Sequence, residues 1–179
     1  MSDNPAEIFD VVDAADRVIG TATRGEVHAR GLLHRAVHIL VRRANGDVFL
    51  QKRSKGKDSH PGKWDSSASG HLDSGESYGL AAVRELREEL GITAESVRLI
   101  GALPASAETG NEFVRIYALS HEGPFVLHPD EIEEGRWISP EELESWIRRR
   151  PQDFARCFPA VWREGKGTLS GGASRGGCC

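Results

Sequence analysis

The chain is poor in the features that mark several large protein classes. Its 179 residues include three cysteines, Cys157, Cys178 and Cys179, at no spacing that suits a disulfide framework or a tetrahedral metal site. Such usage predicts a reducing, cytoplasmic compartment. No apolar run approaches the ~20 residues of a membrane-spanning helix, and the start "MSDNPAEIFDVVD" has neither a basic leader nor an apolar core region. Positive charge is also scarce. Against 27 Asp and Glu stand 23 Lys and Arg, a formal net charge of -4, with no basic stripe along the chain. Nucleic-acid polymers and membranes are therefore not expected as partners. What is present, 39% hydrophobic residues, suffices to bury one substantial core, so a single domain is expected.

Short β-branched runs flank turn residues in "EIFDVVDAADRVIGTATR", which reads as a strand, a turn at Ala15-Asp16 and a second strand. "HRAVHILVRRANGDVFLQKR" repeats the pattern around Asn45-Gly46, the dipeptide that supplies the positive φ angles of a tight hairpin. "DSHPGKWDSSASGHLDSG" is rich in Gly, Ser and Pro and reads as an ordered loop with short extended pieces. A helix is predicted from about Ser77 to Leu90, stopped by Gly91. "SVRLIGALPAS", "EFVRIYALS" and "GRWIS" read as further strands. "SPEELESWIRRR" reads as a helix capped by Ser139 with Pro140 in its first turn. The domain is expected over 1–164. The Gly/Ser-rich stretch 165–179 is expected to be disordered, and its terminal Cys178-Cys179 pair is read as a dangling end rather than a lipidation signal.

The segment "GHLDSGESYGLAAVRELREELGI", residues 70–92, crowds carboxylates where like charges at helical spacing repel. At about 100° per residue, Glu85, Glu88 and Glu89 fall within an arc of roughly 100°, with Val83, Leu86 and Leu90 on the other side. One face packs and the other holds three acids. An isolated Glu pair would be an ordinary solvated face. The full spacing changes that reading: Gly70, five residues, Glu76, seven residues, then Arg84-Glu85-Leu86-Arg87-Glu88-Glu89-Leu90-Gly91-Ile92. Average composition meets those constraints at fewer than roughly one start point in a million.

This spacing resembles the Nudix box, the signature of the Nudix hydrolase superfamily, at every defined position. The resemblance implies an α+β fold, a mixed sheet sandwiched between helices in an α/β/α arrangement, with the box forming a loop, helix and loop. It implies Mg2+-dependent cleavage of a phosphoanhydride bond by metal-activated water, with Mn2+ as a substitute. A nucleoside diphosphate derivative or related small-molecule diphosphate would be the substrate, and the resemblance leaves a homodimer open. Glu85, Glu88 and Glu89 would then be metal ligands, joined by the carbonyl of Gly70, because hard cations let crowded carboxylates coexist. Glu76 would pair with Arg84 and hold the loop against the helix.

Beyond the box, "VVDAADRVIGTATRGEVHARGLLHRAVHILVRRANGDVFLQKRS" and "HPGKWDSSASGHLDSGE" resemble the isopentenyl diphosphate isomerase branch, over about residues 8–160. Members that isomerise use a cysteine before a Gly-His pair and a metal held by three histidines and two glutamates. The histidines match at His28, His34 and His71, which form the candidate second metal site, and Glu112 supplies one glutamate. Ser69 stands at the cysteine position and Gly110 at the other glutamate position. Isomerisation needs a protonating acid and an opposed base, and serine is a much poorer proton donor than a thiol. Hydrolysis is therefore the expected chemistry. The alternatives are an isomerase-like activity and a non-catalytic nucleotide-binding module.

Glu112 is the leading candidate base and Glu89 its rival, with Glu88 beside them; Glu108, Glu133 and Glu134 read as surface acids. Lys52, Arg53 and Lys57, with Lys55, could meet phosphates, although an exposed basic turn accounts for them nearly as well. His38 is expected as a sheet residue, and Trp64 as a core side chain.

Overall fold

The computed structural model describes residues 4–169; Cys178-Cys179 and the rest of the tail beyond Leu169 lie outside them. The N-terminal strands β1 (Ile8–Val12) and β2 (Val18–Thr23) form a two-stranded antiparallel sheet. Asp16 turns between them at φ 60°. A helix that the sequence reading omitted, α1 (Arg24–Arg30), follows at once. Its start is a capping box: Thr23 accepts from the Glu26 N–H while the Glu26 carboxylate accepts from the Thr23 N–H.

The main sheet has seven strands: β3 (His34–Arg42), β4 (Val48–Arg53), β5 (Trp64–Asp65), β6 (Ala68–His71), β7 (Arg98–Leu103), β8 (Glu112–Ser120) and β9 (Ile132–Ile138). The path runs β5-β4-β3-β8-β7, with β6 also on β3 and β9 also on β4. Only β3 and β8 pair in parallel. The Asn45-Gly46 hairpin is present, but Gly46 alone takes a positive φ (97°). Its strands separate after the single pair Arg42 with Val48, because β6 occupies the same edge of β3 from Ala36 to Ile39. Ser67 bridges the split. Its hydroxyl accepts from the Val41 N–H at 2.7 Å and donates to the Phe49 carbonyl at 2.6 Å.

Successive residues of β3 serve opposite cores, as period-two alternation requires. Val37, Ile39 and Val41 pack against Ala82, Leu86 and Leu90 of α2 (Tyr78–Leu90). Ala36 and Leu40 pack on the other face with Leu143 of α3 (Pro140–Arg149) and Phe158, Val161 and Trp162 of α4 (Phe158–Leu169). The expected layered architecture is therefore present. Trp64 is buried against Trp146, with ring centroids 5.5 Å apart. Caps read from sequence recur: Ser77 and Ser139 each accept from an N–H in the first turn, and Gly91 closes α2 in the left-handed conformation.

One boundary is corrected. The disordered stretch expected from residue 165 instead begins as the last turns of α4, where Gly165 and Leu169 are buried. Glycine is there for contact: a Cβ on Gly165 would lie 3.1 Å from both Ile100 and Leu40. Composition cannot distinguish a glycine that loosens a tail from one that admits neighbouring side chains. No helix among the described residues is long and apolar enough to cross a membrane.

Candidate active site

Residues on both sides of the β3/β4 split, together with α1, α2, β6 and the loop before β9, line a cavity of about 630 Å³. Two unlike groups of carboxylates occupy it. The first belongs to α2. Glu85 and Glu89 are buried, at 8% and 4% exposure, whereas Glu88 is exposed. The single acidic face expected from spacing is thus divided: the arc is right, but α2 tilts two of its acids under β6 while the third faces outward. Gly70 makes this close approach workable, since a Cβ there would stand 2.0 Å from Glu85 Oε1.

Arg84 holds the loop and helix together. Its Nε and Nη2 donate to the two oxygens of Glu76 at 3.0 and 2.9 Å, Nη2 donates to the His71 carbonyl at 2.8 Å, and Nη1 donates to Glu85 at 2.7 Å and Glu88 at 3.4 Å. The expected Glu76–Arg84 pair is therefore present. Glu89 Oε2 accepts from Gln51 Nε2 at 3.0 Å and from the Ser69 N–H at 3.1 Å. These donors do not balance the charge. Burial pushes Glu85 up to about 7, against the pull of Arg84. It raises Glu89 well above the usual carboxylate range, and the Glu85 charge adds to the shift. A fourth acid joins them: Glu131, buried in the loop before β9 and ion-paired with Lys57, bears on both glutamates. No local signal in the sequence marks Glu131, because its place depends on how that loop returns to α2.

The second group centres on histidine. One nitrogen from each of His28 on α1, His34 at the start of β3 and His71 at the end of β6 lies within 4.8 Å of the others. His34 Nδ1 lies 2.9 Å from the Leu32 carbonyl and so carries the proton, leaving Nε2 as a bare lone pair. That Nε2 is buried and has no hydrogen-bond partner. It lies 3.6 Å from Glu112 Oε1, which sits 3.0 Å from His71 Nε2. Burial would raise the Glu112 carboxyl, but the imidazoles beside it, above all His71 Nε2 hydrogen-bonded at 3.0 Å, outweigh it and hold the group well below the usual range. Burial pushes His71 down to about 4 despite Glu112. Gly110 turns at φ 71°, and a Cβ there would begin 3.9 Å from Glu112 Oε1. The position of the missing second glutamate thus adjoins the histidines.

The basic residues divide as well. Arg53 and Lys57 line the cavity, with Arg53 donating to the Ser59 carbonyl at 3.0 Å. Lys52 does not. Alternation along β4 sends it to the opposite face, 3.5 Å from Glu133 and 3.7 Å from Glu134, so its proposed phosphate contact is withdrawn. Lys55 is 82% exposed beside Glu133, and Glu133 and Glu134 stay exposed outside the cavity. Glu108 reaches the rim, 3.8 Å from Arg163. His38 is a buried sheet residue, 2.8 Å from Ser66 Oγ, on a strand that also borders the cavity. Sequence reading missed Arg24, His60, His128 and Arg156 on the wall. The Thr23-Glu26 capping box could have placed Arg24 and His28 on a helix; the other three come from loops.

Comparison with known proteins agrees with this architecture. The family model for the NUDIX domain matches residues 32–160. An uncharacterized Nudix hydrolase of Yersinia pestis is 37% identical over 175 residues, covering 87% of this chain and 96% of that protein. An isopentenyl-diphosphate Delta-isomerase of Serratia proteamaculans is 33% identical over 162 residues, covering 88% and 90%. The crystal structure of DR0079 from Deinococcus radiodurans superposes with a TM-score of 0.76 at 29% identity, covering 88% of this chain and 99% of that one. With the box intact on α2 and the mixed sheet layered between helices, the chain belongs to the Nudix family and is a Nudix hydrolase.

Proposed function

We propose that the protein is a Mg2+-dependent pyrophosphohydrolase acting on a small-molecule diphosphate at the α2 carboxylates, with Mn2+ as the substitute ion. The observation that carries this reading is the burial of Glu85 and Glu89, both shifted upward, beside Glu131 at one cavity wall. Buried carboxylates at this density call for cations, and a donor set made of oxygens suits Mg2+ or Mn2+ rather than softer ions. The residues fit as ligands through Glu85, Glu88 and Glu89, with the Gly70 carbonyl as a further donor. Held by these residues, divalent cations would supply charge neutralisation for phosphate oxygens and acidification of a water.

The chain's own groups supply the remainder. Arg84 fixes Glu85 and Glu88 relative to the loop, so ligand positions are set before substrate arrives. Glu89, raised well above the usual carboxylate range by burial and the neighbouring Glu85, holds a proton more readily than an ordinary carboxylate, which suits a proton acceptor. Glu112 is a weaker candidate base than sequence reading suggested, because the histidines stabilise its ionised form. Its role is assigned to the second centre. There the bare His34 Nε2, with His28, His71 and Glu112, fits a first-row transition ion.

Isomerisation is disfavoured by Ser69 at the cysteine position and by the side chain absent at Gly110. A release assay for phosphate, pyrophosphate and nucleoside monophosphate across a diphosphate panel tests the main reading. Magnesium-dependent hydrolysis abolished by chelator supports it. Hydrolysis indifferent to chelator, or conversion of isopentenyl diphosphate to an acid-labile allylic product above the uncatalysed rate, would overturn it.

A further inference from the structure

We infer that His38 and Ser69 form the subsite for a hydroxyl group on the organic moiety that the diphosphate carries, with His38 Nε2 as the acceptor. This rests on the hydrolase reading and deepens it, by naming what the substrate presents beside its diphosphate. His38 and Ser69 are cross-strand partners between β3 and β6, and such partners present their side chains to the same face of a sheet. That face is opposite to α2, because a Cβ on the next residue, Gly70, would meet Glu85 and successive residues of a strand alternate. Both residues line the cavity. The Ser69 N–H meanwhile donates to Glu89 Oε2 at 3.1 Å, so the pair adjoins the carboxylates at which the diphosphate is cleaved.

The hydrogen bonds around His38 decide which of its nitrogens is bare. Nδ1 lies 2.8 Å from Ser66 Oγ and 3.6 Å from Asp65 Oδ1. Ser66 has acceptors for its own proton, the Ala68 carbonyl at 3.2 Å and Asp65 Oδ1 at 3.4 Å. Asp65 is oriented in turn by the Ser66 N–H at 2.8 Å and by Arg53 at 3.5 Å. Nδ1 therefore carries the hydrogen, and Nε2 presents a lone pair. Among the described residues nothing donates to Nε2, and, unlike His34 Nε2, it is not sealed from the cavity. Ser69 Oγ is likewise open and without a hydrogen-bond partner among those residues. A bare acceptor backed by an aspartate repels phosphate oxygens, and a hydrocarbon placed against it would strand the lone pair. An O–H donor satisfies it, and Ser69 can donate to the oxygen of that same hydroxyl.

The test is calorimetric titration of the magnesium-loaded protein with butyl methylenediphosphonate, whose P–C–P bridge resists hydrolysis, and with three counterparts carrying a hydroxyl on the second, third or fourth carbon. At least one hydroxylated compound should bind about tenfold tighter than the plain butyl compound, since a site built for a hydroxyl discriminates against the analogue that lacks it. His38→Phe should reduce that preference to within about twofold, and Ser69→Ala should weaken it. His38→Gln, which places an amide oxygen near the Nε2 position, should keep most of it. Nitrogen NMR of the parent labelled at histidine needs no variant: Nδ1 of His38 should carry the hydrogen, and Nε2 should shift when the favoured compound binds. Equal affinity for all four compounds, a preference unchanged in both His38→Phe and Ser69→Ala, or a proton on Nε2 rather than Nδ1 would overturn the inference and leave the hydrolase reading standing. Failure of all four to bind also overturns the inference, and a diphosphate panel left uncleaved with magnesium overturns the hydrolase reading with it.

Discussion

Glu89 and Glu112 are the same residue type, both line one cavity, and their carboxyl groups are driven in opposite directions. At α2, three acids from consecutive turns and a fourth from a loop compete for Arg84 and Lys57, and burial dominates. At the histidine centre burial meets one acid with two imidazoles beside it, of which His71 Nε2 hydrogen-bonds it at 3.0 Å, and the balance falls the other way. The contrast teaches that burial alone does not set a carboxylate's behaviour. The ratio of acids to donors does, and it leaves the first centre with uncompensated acid while the second is already partly satisfied.

The largest expected effect comes from removing a charge at the crowded centre. Glu89→Gln should lower hydrolysis by orders of magnitude, yet leave the melting temperature in chelator equal or higher, because repulsion is relieved. Magnesium should then raise the melting temperature of the parent more than that of the variant, since a ligand that binds only the folded state stabilises it by mass action. A marked fall in chelator with near-parental activity would erase the difference between the two centres.

Next in size is Arg84→Ala, which removes the clamp on Glu76, Glu85 and Glu88. Metal affinity and turnover should drop about 10- to 100-fold, the usual scale for losing a group that orients ligands. Isothermal titration with magnesium and steady-state kinetics measure both. Unchanged values would make Arg84 an ordinary surface charge.

At the histidine centre the sign should reverse. Glu112→Ala deprives His71 Nε2 of its acceptor, so the chelated protein should lose about 1–3 kcal/mol, a drop of several degrees in a thermal melt. Stabilisation by this variant would show that Glu112, like Glu89, is held against its preference.

The smallest effect is on pH dependence. Glu85 has a raised pKa in the fold, so its contribution to stability is full below its ordinary value of 4.5 and is lost as pH rises through about 7. Glu112 has a lowered pKa, so its contribution is present above 4.5 and lost on acidification. His71, lowered to about 4, gains stability over the same interval, so the Glu85 part is read as a difference: in chelator the parent should lose stability relative to Glu85→Gln from pH 5 to 7, and magnesium should flatten that difference. A parent that holds its stability relative to the variant across this range would contradict the assignment at α2.

Much of this was legible in the sequence because the signals are local. The box spacing located α2 and its acids, Ser77 and Gly91 marked its ends, and the β-branched runs on either side of Asn45-Gly46 marked β3 and β4 as strands. The same kind of signal, the Thr23-Glu26 box, was present for α1 and passed over. Lys52 was assigned to phosphate by type, although strand alternation, also local, sends it away from Arg53.

What the sequence by itself determined is the set of acids and their order along α2, since helical periodicity converts spacing directly into an arc. Tertiary structure decided which of those acids are buried. The β3/β4 split admits β6, Gly70 lets Glu85 lie beneath it, and the loop carrying Glu131 closes the group. It also decided that His28, His34, His71 and Glu112, spread over three strands and a helix, meet at one point. No local pattern encodes that meeting, because desolvation and charge balance depend on neighbours brought together by the sheet's register rather than on neighbours in the chain.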